Sequence, residues 1–485
     1  MKSVILFLCV AITTQVLAES AAAYSIDLGP IYARMETVTG EKRVTAAGPF
    51  FETVEGPRGE YYWGLRPLYA HVRDPERNRT RNYFLWPIAS TASYLNEFKY
   101  RCLIVYGRIG LPGYKDSPAY RFTIFPFYWQ SRGHDGRSAV ALFPIGGRIQ
   151  NFIWYKTIDF ALFPLWVRWQ SQDVVSQNFL WPFFSRTTSR EDDDISRRRF
   201  FPFYMRSYKE GYYNKKSVMW PIWNYARYMS EGSKGYAWIL FPLYGQMNRE
   251  GQKGFWLAPP FFRFQWGTGG RRIFCPWPFV QYDNTKYMKK FYLWPLFGTR
   301  TVGPLCNRFF LWPLIWDRTI DFKDKKVRVF QFVPFVVWDR MYKKNEDGSL
   351  GEITMRRSKI WPLFSYRRDG DVRQTRVLEL WPFREDLGVA QTWAPLWTLF
   401  SHTVVNDVGY DTEVLWGLYR NQRRGKERRT NQLFPLYDYE RDENLKGGTK
   451  KWSFLKGLIG YKREHGIRRY RLLYFITFGG KRAEE

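Results

Sequence analysis

Proline recurs along this chain with a period close to nineteen residues. Prolines stand at 144, 164, 182, 202, 221, 242, 260, 278, 295, 313 and 334, separated by 17 to 21 positions. Each sits among apolar residues, as in Leu85-Trp86-Pro87-Ile88, Leu162-Phe163-Pro164-Leu165-Trp166, Leu180-Trp181-Pro182-Phe183-Phe184 and Trp312-Pro313-Leu314-Ile315-Trp316. Pro67, Pro87 and Pro126 extend the series upstream, and Pro362, Pro382, Pro395 and Pro435 extend it less regularly downstream. Gly replaces Pro in Trp416-Gly417-Leu418 and Lys456-Gly457-Leu458. Self-similarity at a fixed short period marks a repeat architecture, in which one small unit is stacked many times.

Between the apolar centres lie connectors such as Gly133-His134-Asp135-Gly136, Ser230-Glu231-Gly232-Ser233 and Asn345-Glu346-Asp347-Gly348. These are turn compositions, because Gly accepts positive φ and Asp or Asn closes local hydrogen bonds. The remaining residues of each unit are rich in Trp, Tyr, Phe, Val and Ile, which suits strands. A Pro in nearly every unit disfavours helix. The spacing predicts an all-β, antiparallel up-and-down meander of about 24 strands, one per repeat, with Pro near mid-strand as a shared bend or bulge. A sheet of that size must curl, split or close. Closure as a large β-barrel is expected, with a soluble β-repeat or sandwich as the alternative.

Composition restricts the class further. The chain has 485 residues with 23 Trp, 33 Tyr and 40 Phe, which excludes general disorder. Met1 to Ala18 read as a secretory signal peptide: Lys2 is followed by an apolar run, then by Val16-Leu17-Ala18 before a cut near Glu19. The expected organisation is a signal at 1–18, one repetitive β domain at 19–478 and a polar tail at 479–485. Cys102, Cys275 and Cys306 remain after cleavage, too few for a disulfide framework, and packing as small free thiols is expected.

The formal net charge is +30, and arginines recur just beyond the apolar centres. Arg148, Arg168, Arg186 and Arg206 lie four after a Pro, Arg300, Arg318 and Arg367 five after, and Arg340 six after. Arg420, Arg423, Arg424, Arg428 and Arg429 form the densest cluster. The expected layout is an apolar belt carrying Trp86, Trp166, Trp181, Trp220, Trp294, Trp312, Trp316 and Trp361, set between two cationic rims. Transmembrane barrels have such belts, and Arg pairs bidentately with lipid phosphate. The strand Tyr470 to Phe478 resembles the aromatic-ended closing strand of outer-membrane β-barrels, although the tail from Gly479 follows it. Leu65-Arg66-Pro67-Leu68-Tyr69 and the Leu-Trp-Pro units after it resemble a set of signal-bearing Trp-Pro/Phe-Pro repeat proteins of Gram-negative bacteria. That resemblance implies an envelope location and transfers no active site.

Three features separate the chain from an ordinary porin. Both faces read as apolar at their centres, the connectors are short, and the apolar centre spans only about five residues, roughly 17 Å. The functional expectation is an outer-membrane β-barrel with a structural or passive transport role, its arginines favouring anions. The alternative is a periplasmic or secreted non-enzymatic protein binding anionic glycan or lipopolysaccharide. Outer-membrane lipid or lipopolysaccharide is the expected partner, with an anionic solute or glycan as a further one and no nucleic acid.

No catalytic, metal or cofactor residues are assigned. His71, His134, His402 and His465 stand at no ligand spacing. Gly267-Thr268-Gly269-Gly270-Arg271-Arg272 lacks the P-loop spacing, and Glu191-Asp192-Asp193-Asp194 lacks the alternation of a calcium loop.

Overall fold

The computed structural model describes residues 26–190, 194–443, 448–464 and 466–480. The signal-like segment, Cys9, Glu191 to Asp193, His465 and residues 481–485 lie outside them. The described chain is a single antiparallel sheet of 46 strands, each paired with its neighbours in sequence, from Ile26–Asp27 against Tyr32–Glu36 to Ile467–Leu472 against Ile476–Phe478. The meander is as expected, but the strand count is nearly twice the expected one. Each repeat holds two strands of about six residues rather than one of twelve to fourteen, as in Trp166–Gln170 and Val174–Phe179.

The reason lies in proline. It has no N–H to give to a ladder, and it is favoured in turns. Pro164 lies between the strands Tyr155–Ala161 and Trp166–Gln170, and Pro182 between Val174–Phe179 and Phe184–Ser189. The apolar centres are therefore turns, not mid-strand bends. They are laddered to one another: the Phe163 amide donates to the Pro144 carbonyl at 2.8 Å, Trp181 to Pro164 at 2.8 Å, Trp220 to Pro202 at 2.7 Å and Trp312 to Pro295 at 2.7 Å.

In an antiparallel meander alternate turns fall on opposite edges of the strip. One rim collects the apolar turns, such as 125–127, 162–165, 180–183, 219–222, 294–296 and 311–314. The other collects mostly polar turns, such as 56–60, 133–137, 229–234, 345–349 and 425–427. The expected apolar belt between two cationic rims is thus replaced by one apolar rim and one polar rim.

The two faces differ as well. Among described strand residues, those that are buried lie on one face, Asp317 excepted: Ala33, Thr45, Glu52, Ala70, Tyr83, Trp129, Ala141, Phe160, Val167, Asn178 and Phe309 are among them. This face is concave and carries small residues where the strip bends. A Cβ on Gly298 would meet the Phe309 ring at 2.1 Å, so glycine lets that ring lie across the neighbouring strand. Trp129, Ala141, Phe160 and Val167 form its main apolar cluster.

The strip curls until its two ends face each other across the concave side. Arg43 donates to Glu413 at 2.6 Å, Arg420 pairs with Asp27 at 2.8 Å as well as with Glu413 at 3.1 Å, and Lys456 donates to the Asp27 carbonyl at 2.7 Å. Helices α1 (Leu387–Thr392) and α2 (Ala394–Trp397) sit in the one long apolar-rim connection. They dock on the early part of the strip through Trp393 Nε1, which donates to the carbonyl of Trp86 in a rim turn at 2.7 Å, and through Tyr62, which donates to the Gln391 carbonyl at 2.9 Å. Among the described residues no ladder joins the first strand to the last, so the ends overlap face to face rather than closing edge to edge.

Candidate functional site: basic ladders beneath an apolar rim

The convex face is ordered in rows parallel to the rims. Next to the apolar rim runs an apolar row. Trp166, Phe179, Phe184, Phe200, Tyr204 and Val218 are successive cross-strand partners in it. Further along, Phe332, Val336, Ile360, Phe364 and Val377 continue it, and Tyr419, Leu433, Tyr437, Phe454, Ile459 and Leu472 extend it to the C-terminal end.

Cations form the rows below. On consecutive strands Arg148, Asp159, Arg168, Gln177, Arg186, Arg198, Arg206 and Lys216 are directly opposed, two residues from the apolar row. Two residues deeper, Arg328, Arg340, Arg356, Arg368 and Arg373 follow one another without interruption. At the same depth Arg423, Arg429, Arg441, Lys450, Arg463 and Arg468 make a third run. Like charges directly opposite each other across a ladder are destabilising, by several tenths of a kcal/mol per pair.

Few carboxylates offset them. Asp159 hydrogen-bonds Arg148 and holds its guanidinium above the ordinary value. Asp317 pairs with Arg328 at 3.0 Å, Glu352 with Arg368 at 3.5 Å, and Glu443 with Arg441. Arg340 and Arg356 carry buried Nε atoms without a hydrogen-bond partner. Arg340 is held instead over the Trp338 ring at 4.4 Å, and Arg356 lies 5.7 Å from the Tyr366 ring. Aromatic faces position these guanidinium groups without neutralising them.

The aromatic residues anticipated from sequence divide cleanly. Trp86, Trp181, Trp220, Trp294, Trp312 and Trp361 are in the rim turns, linked along the rim through tilted ring contacts such as Phe163 with Trp181 at 6.0 Å, Phe201 with Trp220 at 5.6 Å and Trp294 with Trp312 at 5.7 Å. Trp166 is in the convex apolar row. Trp316 is the exception: it pairs with Phe309 on the concave face and donates to the Pro313 carbonyl at 2.8 Å.

The arginines divide by parity. Arg148, Arg168, Arg186, Arg206, Arg340, Arg423 and Arg429 are in the convex ladders. Arg300, Arg318, Arg367, Arg420, Arg424 and Arg428 face the concave side, so the sequence cluster 420–429 is not one patch. Its concave members are paired: Arg420 as above, Arg424 with Glu36 at 3.0 Å, and Arg428 with Glu440 at 3.6 Å and Asp442 at 3.7 Å. Arg328, Arg356, Arg368, Arg373, Lys450, Arg463 and Arg468 escaped notice, because their distance from Pro varies and only cross-strand register aligns them. Cys102, Cys275 and Cys306 are free, and Cys102 and Cys275 are exposed rather than packed.

No family model matches the chain, and no curated protein matches it either. Among solved structures it is similar to Hsv2p of Kluyveromyces lactis and to a form of that protein with loop 6CD replaced by a Gly-Ser linker. Both are 9% identical over 56% of this chain and 94% of theirs, with TM-scores of 0.14 and 0.15.

Proposed function

We propose that this chain is a non-enzymatic envelope protein that seats its apolar rim in the acyl layer of a lipid leaflet and holds lipid phosphates with its convex arginine ladders. The observation that carries the reading is the order of the convex rows: apolar rim, apolar row, then cations that few carboxylates offset. That order matches a leaflet read from the acyl chains outward to the phosphates. Rows two residues apart are about 7 Å apart. The nearer ladder therefore lies roughly 10 Å from the rim tip and the deeper ones roughly 17 Å, against about 15 Å for half a hydrocarbon core.

The same heights favour one leaflet over a full span. Strands of about six residues reach about 20 Å, short of the 30 Å core. Pushing the rim through would carry the ladders to mid-bilayer, where each Arg costs about 2–4 kcal/mol. The concave face carries exposed arginines such as Arg199, Arg300 and Arg318, which suits a water-lined interior. A passive passage for anions along that face is the transport role compatible with the geometry, and an outer-membrane location is the compartment that the N-terminal sequence suggests.

Vesicle flotation tests the reading. The full chain is expected to float with phosphatidylglycerol vesicles, and more weakly with phosphatidylcholine vesicles. Arg340→Gln/Arg356→Gln/Arg368→Gln should lower anionic-vesicle binding about tenfold and flatten its salt dependence. Trp294→Ser/Trp312→Ser should weaken binding to both vesicle types. Flotation that ignores both changes would overturn the proposal.

A further inference from the structure

A second cationic site lies on the opposite, concave face. A cavity of about 480 Å³ opens there between the strands of residues 213–285. Lys215, Arg249, Arg263 and Arg272 line it. Asp283 is the carboxylate beside them, and it is already shared by Arg272 at 2.7 Å and Lys290 at 3.3 Å. The other cations are held by rings and neutral groups. Arg249 sits 3.8 Å over the Tyr228 ring and donates to Ser233 Oγ at 2.7 Å. Lys215 sits 4.5 Å over Tyr213. Arg263 lies 5.5 Å from the Trp256 ring and 5.8 Å from Phe274, and donates to Gln265 at 2.6 Å.

Arg263 is the most constrained of the four. Its Nε is buried with no hydrogen-bond partner. Burial first, and the charge of Arg272 second, pull its pKa below the ordinary value. A buried guanidinium N–H left without an acceptor is costly. Rings fix the geometry of these cations without cancelling their charge, and guanidinium forks match tetrahedral oxyanions.

We propose that this cavity binds a phosphoryl group, carried by a lipid headgroup or by a small soluble molecule. The four cations that carry the site face the concave side, so failure of rim insertion leaves it untouched. Calorimetric titration of the full chain tests it with four probes: inorganic phosphate, glucose 1-phosphate, dihexanoyl phosphatidic acid below its micelle concentration, and acetate. Binding of the three phosphoryl probes, and weaker binding of acetate, is expected. Arg263→Gln should weaken it at least tenfold. Arg249→Gln repeats the test should Arg263→Gln fail to fold. Arg77→Gln, on an exposed polar-rim turn, should leave it unchanged. Binding of phosphatidic acid alone would assign the lipid source, and binding of all three would assign the phosphoryl group itself. Absence of binding by every phosphoryl probe at millimolar concentration, acetate binding as tightly, or indifference to both Gln substitutions would each overturn the proposal.

Discussion

At the scale of single residues, the charges that join the two ends of the strip set an acid limit on the fold. Burial by itself would raise the Glu52 carboxyl, but Arg43 and Arg66 outweigh it and bring it down to about 2. Burial is likewise outweighed at Glu413, by Arg43 and Arg420, again to about 2. A carboxyl depressed in the folded state contributes stability that is present above its unfolded value near 4.5 and lost as pH falls toward 2. Urea midpoints should therefore drop between about pH 4.5 and 2. Glu413→Gln, which leaves Arg43 and Arg420 short of a partner, should cost on the order of 3 kcal/mol at pH 7 and shrink the acid-dependent fall. An unchanged midpoint at pH 3 would mean that the end-to-end contact contributes little. None of these pairings was legible in the sequence, since Arg43 and Glu413 are separated by 370 residues. Only Arg420 among the anticipated residues belongs to this cluster.

At the scale of elements, the hairpin explains why sequence reading halved the strand number. An apolar run centred on Pro looks like a buried strand, because periodicity alone does not separate a short buried strand from an apolar turn. Two strands and two turns fill the same nineteen residues as one long strand and one turn. The choice was made by backbone hydrogen bonding, which Pro interrupts. The arginine ladders follow from the same register. Because alternate side chains point to opposite faces, Arg423 and Arg424 are neighbours in sequence and lie on opposite sides of the sheet. The ladders also predict a trade between stability and binding. Relieving like-charge contacts in Arg340→Gln/Arg356→Gln should raise the urea midpoint by an amount equivalent to several tenths of a kcal/mol per pair while reducing vesicle binding. Loss of stability in that variant would show that the ladder is held together by partners within the chain.

At the scale of the molecule, one curled layer leaves much surface uncovered. The accessible surface is 31331 Å², where a compact monomer of 58.2 kDa would have roughly 19,000 Å². Small-angle scattering in detergent, with the detergent contrast-matched, should return a radius of gyration well above the approximately 23 Å of a compact chain this long. A value near 23 Å would mean that the strip collapses into a conventional globule. The sequence by itself determined the all-β class, the antiparallel meander, the repeat and the excess of cations and aromatics, because these depend on local propensity, turn chemistry and composition. Tertiary structure alone decided that the aromatics gather on one rim, that arginines align on the convex face, and that the ends meet through buried charge. Those outcomes rest on register between strands and on the direction in which the sheet bends, and both are set by contacts between residues that the linear order keeps apart.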